Sequence, residues 1–271
     1  MTRIGQTTGG DEASTETEDA TQDLGEVIDF AALRDRARGR TPGRKARRRA
    51  RAERWRRPLE TLRDRREAWG SLLFADHGFL RLAYRNRHQV TERLWRSAQP
   101  SPTDIATAAR LGIRTVVSLR ADGFGGDPLE REACARHGLN FERVVLQSRM
   151  APPKAVLRQA MEVFPRLEAP VLLHCKSGAD RAGLGSALWM ILVEGASAEE
   201  AQRQLSLKFG HIKHARTGVL DVFLEAWAQT GEAAGLSFAE WVETVYDPES
   251  LPRRVQANPI ADALLSLMAR E

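Results

Sequence analysis

Cysteine is nearly missing: the chain has two thiols, Cys134 and Cys175, in 271 residues. That is too few for a disulfide framework and fits a reducing compartment, so the cytoplasm is the expected location. No Cys/His group has the spacing of a zinc site, and no metal is expected. Long apolar runs are missing too; none approaches the roughly 20 residues that span a bilayer, which excludes a transmembrane helix. The first residues show neither the basic start nor the apolar stretch of a secretory signal. Residues 1–24 contain almost no large apolar side chain. They cannot offset their ordering entropy and are expected to be disordered.

What is present in excess is arginine, in one place. The formal charge of +5 hides an asymmetry: residues 34–66 hold 16 basic and 4 acidic side chains, whereas the chain after residue 67 has 24 basic and 23 acidic. Within this arm, residues 45–57 have no apolar face of their own but could become helical against an anionic surface. The arm is either a solvated extension or a docking element for an anionic membrane surface or a nucleic acid. Docking would be salt-sensitive and would place the protein at the periphery of the inner membrane face.

From residue 59 onward the pattern is that of a packed domain. Leu59, Leu62, Trp69 and Leu72 predict a first amphipathic helix, and "HQVTERLWRS" a strand or hairpin. Ser101-Pro102-Thr103-Asp104 is a helix start, with a capping hydroxyl, proline at the first helical position and an acid at the third. That helix is predicted to stop near Gly112. "IRTVVSL", "FERVVL" and "PVLLHC" read as strands, separated by helices over "PLEREACARHG" and "PPKAVLRQAMEVFPRL". Beyond residue 181 only helices are expected, over 182–194, 198–208, 216–229, 237–245 and 258–269. Strands alternating with helices predict an α/β fold with a parallel-rich central sheet, flanked by helices and followed by an all-helical C-terminal half. The expected division is 1–58 as an extension, 59–247 as the folded domain, and 248–271 as a linker and helix.

In open α/β sheets, ligands bind beyond the carboxyl ends of the strands. The run "VLLHC" delivers Cys175 there, and a helix starts near Arg181. The loop between them, Lys176, Ser177, Gly178, Ala179 and Asp180, is suited to turning backbone N–H groups inward as an anion nest at a helix N-terminus. Gly178 permits the tight path, and Arg181 adds a fork for two phosphate oxygens. The same positive field favours the thiolate at Cys175. A thiolate at the base of an oxyanion cradle points to phosphoryl transfer with a cysteine nucleophile.

His174-Cys175, five residues and Arg181 match the HCX5R signature, and "HCKSGADRAG" resembles the bacterial dual-specificity-like branch of the cysteine-dependent protein tyrosine and dual-specificity phosphatase superfamily. The segments "LWRSAQPSPTDIATAARLGIRTVVSLR" (94–120) and "SLKFGHIKHARTGVLD" (206–221) are similar to parts of that branch. The resemblance covers roughly residues 70–230. It implies hydrolysis of a phosphorylated protein or a small phosphomonoester through a phosphocysteine intermediate on Cys175. Arg181 would bind the equatorial oxygens, His174 would orient the loop, and no metal or other cofactor would be needed.

Two positions depart from the family pattern. Its general acid, an aspartate some 30 residues before the cysteine, has no counterpart in "LQSRMAPP" (146–153). Asp180 is the favoured replacement, with Asp122 and Asp127 in the loop after "VVSL" as alternatives. Ala182 stands where a hydroxyl often helps the thiolate leave, so Ser177 or Ser148 would have to substitute. Lys176 admits a phosphoinositide headgroup, and the arm admits an RNA 5′-phosphate. A phosphate-binding module without turnover is the rival reading. Lys208, His211, Lys213, His214 and Arg216 either rim the pocket or form a solvated helix junction. Cys134 is expected to be a buried core residue. Arg96, Ser97 and Gln99 are expected to form a structural turn rather than brace the site, and Trp95, Trp189 and Trp227 to be core.

Overall fold

The β-branched and leucine-rich runs TVVS and VLLH form the two central strands, because runs of this length are stable only when both faces are covered. In the computed structural model, which describes residues 52–251 together with Gly43 and Ala50, every residue of both runs is buried. The strands are β1 His88–Gln89, β2 Leu94–Ser97, β3 Thr115–Ser118, β4 Asn140–Arg143 and β5 Val171–His174, in the sheet order β1-β2-β5-β3-β4. β1 and β2 form an antiparallel hairpin, and every other pairing is parallel.

Helices α1 Leu62–Gly70, α2 Gly78–Ala83, α3 Pro102–Arg110, α4 Gly126–Arg136 and α5 Lys154–Val163 occur before β5 is complete. After it come α6 Asp180–Glu194, α7 Ala198–Gln202, α8 Val219–Thr230 and α9 Phe238–Thr244. The α/β architecture and the helical C-terminal half are as the sequence predicts. Ser101 caps α3 through a reciprocal box with Asp104, with Pro102 in the first turn. The aromatic cluster of Phe223, Trp227, Phe238, Trp241 and Tyr246 closes the core beneath the C-terminal helices. Trp189 is buried as expected, and Cys134 lies on the other side of the sheet with Ile105, Ile113, Val116 and Leu172. Burial, with the Glu130 charge adding to it, pushes the Cys134 thiol far above its ordinary range, so it is inert.

Three expectations change. Leu62, the first residue of α1, is 75% exposed, whereas Leu72 of the same expected face is buried within a π-helical turn at Ser71–Ala75. The helix expected over 198–208 stops at Gln202, followed by a turn and a 3-10 segment at Leu207–Phe209. The helix expected from residue 216 opens with a 3-10 turn, Arg216–Gly218, before α8. The predicted helix over 258–269 lies outside the described residues, as does most of the 1–58 extension.

Where the chain is described again from residue 52, it is already packed. Trp55 is buried with Ala68, Leu72 and Leu129, and Arg131 donates to the carbonyls of Trp55 and Arg56 at 3.1 Å each. No helix among the described residues is long and apolar enough to cross a membrane.

The register places the site. Ser97 and Ser118 both lie opposite His174, so β2, β3 and β5 end at one level. The residues just beyond them, Ala98-Gln99, Leu119-Arg120 and Cys175-Lys176, therefore gather at one edge of the sheet.

Candidate active site

Beyond β5 the loop 175–179 runs into the first turn of α6. The carbonyls of residues 176–179 all turn away from the thiol. Lys176 O accepts from Gln99 N at 3.2 Å, and Ser177 O accepts from Asn86 Nδ2 at 3.0 Å. Gly178 O and Ala179 O both accept from Arg96 Nη2 at 2.8 Å. In a trans peptide the N–H points opposite to its C=O. Tying four consecutive oxygens outward thus commits the intervening N–H groups to the inside of the loop. One of them, Gly178 N–H, already donates to Cys175 Sγ at 3.3 Å. Gly178 sits at φ +76°, and an added Cβ would lie 2.6 Å from Ala98 N, so the loop's contact with the end of β2 requires glycine there.

Arg96, expected to belong to a turn, is instead fully buried as a brace. Its Nη1 also donates to Gln204 O at 2.6 Å and to Gln204 Oε1 at 3.1 Å, and the guanidinium lies 4.0 Å from the Phe209 ring centre. Burial pulls its pKa down to about 10, opposed by the negative charges of Cys175 and Asp180. It therefore remains a cation behind the loop at neutral pH. Arg96→Met should lower the unfolding midpoint, with each stranded buried carbonyl costing about 1–3 kcal/mol. It should also weaken the binding of inorganic phosphate, read by calorimetry. An unchanged phosphate Kd in a folded variant would show that Arg96 supports the fold without shaping the cradle.

On the other side of the thiol lies a cluster that sequence reading missed. Arg120, just past β3, forms a bidentate pair with Asp76 at 2.8 Å on both arms and donates to Gln99 Oε1 at 3.0 Å. Asp76 also accepts from Arg81 at 2.7 Å and stands 3.9 Å from Lys176 Nζ. Burial works against its charge, but these cations, Arg120 foremost, hold the Asp76 carboxyl below its ordinary pKa. This cluster fixes Lys176 relative to a cleft of about 470 Å³ lined by Asp76, Arg120, Asp122, Phe124, Lys176 and Arg181. Ala52 completes the wall, and Arg56 pairs with Asp122 at 2.7 Å.

His174 is fully buried behind the thiol. Its Nε2 lies 2.7 Å from Glu130 Oε1, off the direction of a good hydrogen bond, and the other Glu130 oxygen accepts from Gln99 Nε2 at 2.9 Å. Gln99 thus ties together the loop, the Arg120 cluster and the partner of His174.

The three candidate acids have different surroundings. Asp180 is buried, and its Oδ1 is 2.7 Å from His211 Nδ1. Asp122 lines the cleft, with its carboxyl pKa lowered chiefly by the hydrogen bond from Arg56. Asp127 is buried at the start of α4 and accepts from Phe124 N at 3.0 Å. Burial foremost raises its pKa, and Arg143 at 3.7 Å is too far for a hydrogen bond. Ala182 is buried in the core, whereas Ser177 and Ser148 are half-exposed. Of the basic stretch 208–216, His211 is buried rather than at the rim, and Lys213 pairs with Glu225 at 2.8 Å. Among the described residues no group of three or more His, Cys, Asp or Glu side chains is arranged to hold a metal ion.

A buried thiol in a carbonyl-tied loop at a helix N-terminus, followed by Arg181 in the wall of the cleft, is an arrangement suited to holding a phosphate over the sulfur. Residues 90–218 match the family model described as "Swiss Army Knife protein, DSP-PTPase phosphatase domain". This part of the chain is similar to phosphatase domains of the dual-specificity type. Two curated relatives are the dual specificity protein phosphatase TpbA of Pseudomonas aeruginosa strain UCBPP-PA14, 34% identical over 126 residues, and a beta-lactamase hydrolase-like protein of Xylella fastidiosa, 35% identical over 95 residues. The aligned part is 44% of this chain and 54% of TpbA, and 33% and 21% for the Xylella protein. The chain thus spans about half the length of TpbA. Among solved structures, P. aeruginosa TpbA in complex with pTyr aligns with TM-score 0.42 at 25% identity, over 57% of this chain and 89% of that one. The core catalytic domain of the PP-IP phosphatase SIW14 from S. cerevisiae aligns with TM-score 0.41 at 18% identity, over 51% and 85%.

Proposed function

We propose that the chain is a cysteine-dependent phosphomonoester hydrolase of the protein tyrosine/dual-specificity type. The observation that carries this reading is the Cys175 thiol beneath a loop whose four carbonyls are tied outward. The thiolate attacks phosphorus, and the P–S bond forms as the P–O bond to the leaving group breaks. Water then displaces the thiolate from the phosphocysteine. Arg181 and the loop N–H groups hold the equatorial oxygens in both steps, supplying positive charge where the transition state carries negative charge. Lys176 adds charge at the mouth of the cleft, His174 and Glu130 set the loop from behind, and Asp180 handles the proton.

The substrate is a phosphorylated protein or a small phosphomonoester, and the cytoplasm is its compartment. The family match over residues 90–218 and a relative named as a dual specificity protein phosphatase support the substrate class, and the scarcity of cysteine supports the compartment. One observation favours a narrower alternative, a cradle that holds phosphate with little turnover. Asp122 is engaged by Arg56, Asp180 by His211, and Asp127 is buried away from the cleft, so no candidate stands ready to protonate a poor leaving group.

The test is phosphate release from para-nitrophenyl phosphate, phosphotyrosine peptide, phosphothreonine peptide and a phosphoinositide, with acid quenching to trap phosphoenzyme. The expected result is turnover through a trapped phosphocysteine, with aryl esters ahead of alkyl esters. Bound phosphate with neither release nor phosphoenzyme from any substrate would reduce the domain to a binding module.

A further inference from the structure

His211 lies between two carboxylates. Its Nδ1 is 2.7 Å from Asp180 Oδ1 in the catalytic loop, and its Nε2 is 2.7 Å from Asp221 Oδ2 in the first turn of α8. All three residues are buried, and His211 N donates to Ser206 O at 3.1 Å, which fixes the ring's backbone. With an acceptor at each nitrogen, the ring satisfies both bonds only as the imidazolium. Asp180 also feels the charge of Arg96 on β2, and Asp221 that of Lys213. Among the described residues, Asp180 makes no other side-chain hydrogen bond.

The ring takes up Asp180 Oδ1 and leaves Oδ2 as the oxygen able to accept a proton. We propose that His211 is a positioning residue that orients the Asp180 carboxyl, making Asp180 the base that activates water in phosphocysteine breakdown rather than the acid that protonates the leaving group. This rests on the hydrolase reading given above. In the first step the leaving oxygen departs with the P–O electron pair and takes its proton from solvent. In the second, a water proton passes to Asp180 as the water oxygen bonds to phosphorus. The P–S electron pair returns to Cys175 Sγ, whose negative charge meets Gly178 N–H.

The arrangement predicts a pH limb. Burial opposes the charge on His211, but the bonds to Asp180 and Asp221 raise its pKa to about 9. The ring is therefore charged at neutral pH, and breakdown should slow as pH rises through about 9.

The test is rapid-quench kinetics of the full chain with para-nitrophenyl phosphate. In His211→Gln the nitrophenol burst should keep its rate within about threefold, while steady-state turnover falls about 10-fold or more and trapped phosphocysteine accumulates. Asp221→Asn, which leaves the Asp180 contact in place but removes one of the two charges, should move the alkaline limb to lower pH. It also carries the test if His211→Gln does not fold. A His211→Gln burst slowed as much as turnover, or an Asp221→Asn limb that stays where it is in the wild type, would overturn the assignment. Wild-type protein that forms no Cys175-dependent phosphoenzyme would instead remove the hydrolase reading, and this assignment with it.

Discussion

Cys175→Ser should abolish turnover of every substrate while leaving phosphate bound. A hydroxyl lies far above a thiol in pKa and is not ionised in this loop, so the attacking anion disappears. Removal of a catalytic nucleophile commonly costs about 10⁴-fold or more in kcat. The cradle itself does not depend on sulfur: its oxygens are held by Gln99, Asn86 and Arg96, and Arg181 is untouched. The substitution is close to isosteric at a site only 1% exposed, so stability should change by no more than about 1 kcal/mol. Phosphate release and calorimetric binding of inorganic phosphate, measured on the same preparation, check both halves. Residual turnover above background would assign the chemistry to another group. Loss of phosphate binding would mean that the thiolate, rather than the loop, organises the cradle.

Gly178→Ala should cost nearly as much in activity for a different reason. Residue 178 sits at φ +76°, where a side chain is strained by about 1–3 kcal/mol. The added Cβ would also lie 2.6 Å from Ala98 N, 2.7 Å from Ser97 C and 2.9 Å from Asn86 Nδ2. Two of these are backbone atoms at the end of β2, so relief requires the loop or the strand to move. Either movement breaks the bonds from Arg96 and Asn86 that turn the carbonyls outward. The expected result is a fall of about 100-fold or more in kcat/KM, together with weakened phosphate binding and a lower unfolding midpoint. Gly112→Ala is the control. Its φ is +82°, but an added Cβ would have nothing within 4 Å, so it should destabilise by about 1 kcal/mol with no effect on turnover. Equal effects of the two alanines on activity would show that left-handed strain, and not the contact with β2, is what matters at residue 178.

The strands and the nucleophile loop were legible because their signals are local. "TVVS" and "VLLH" need both faces covered, Ser101 and Asp104 lie three residues apart, and Cys175 and Arg181 lie within one loop and turn. What supports the loop is not local. Arg96 reaches carbonyls 82 and 83 residues ahead, and His211 meets Asp180 from 31 residues away. No spacing rule announces such partners. Arg96 and Gln99 read as a turn because an arginine and a glutamine before proline carry no mark of burial. His211 was hidden in a run of basic residues that looks solvated, although its nearest charges are two carboxylates. Asp76 had no signal at all, being one acid in an apolar stretch whose meaning comes from the three cations that surround it. Leu62 failed in the opposite direction: the helical period includes it in the apolar face, but as the first residue of α1 it stays 75% exposed.

The brace from Arg96 also bears on how the chain acquires its activity. The contacts that Arg96 makes span 82 to 108 residues of sequence, so they close large loops and come at a high entropic cost early in folding. They also require β2 to lie in one register on β5, with Arg96 opposite Leu173. A slip of one residue would send the guanidinium to the other face of the sheet. Competence to bind phosphate should therefore appear late in refolding, after helical signal has recovered, with the same rate as the pairing of β2 and β5.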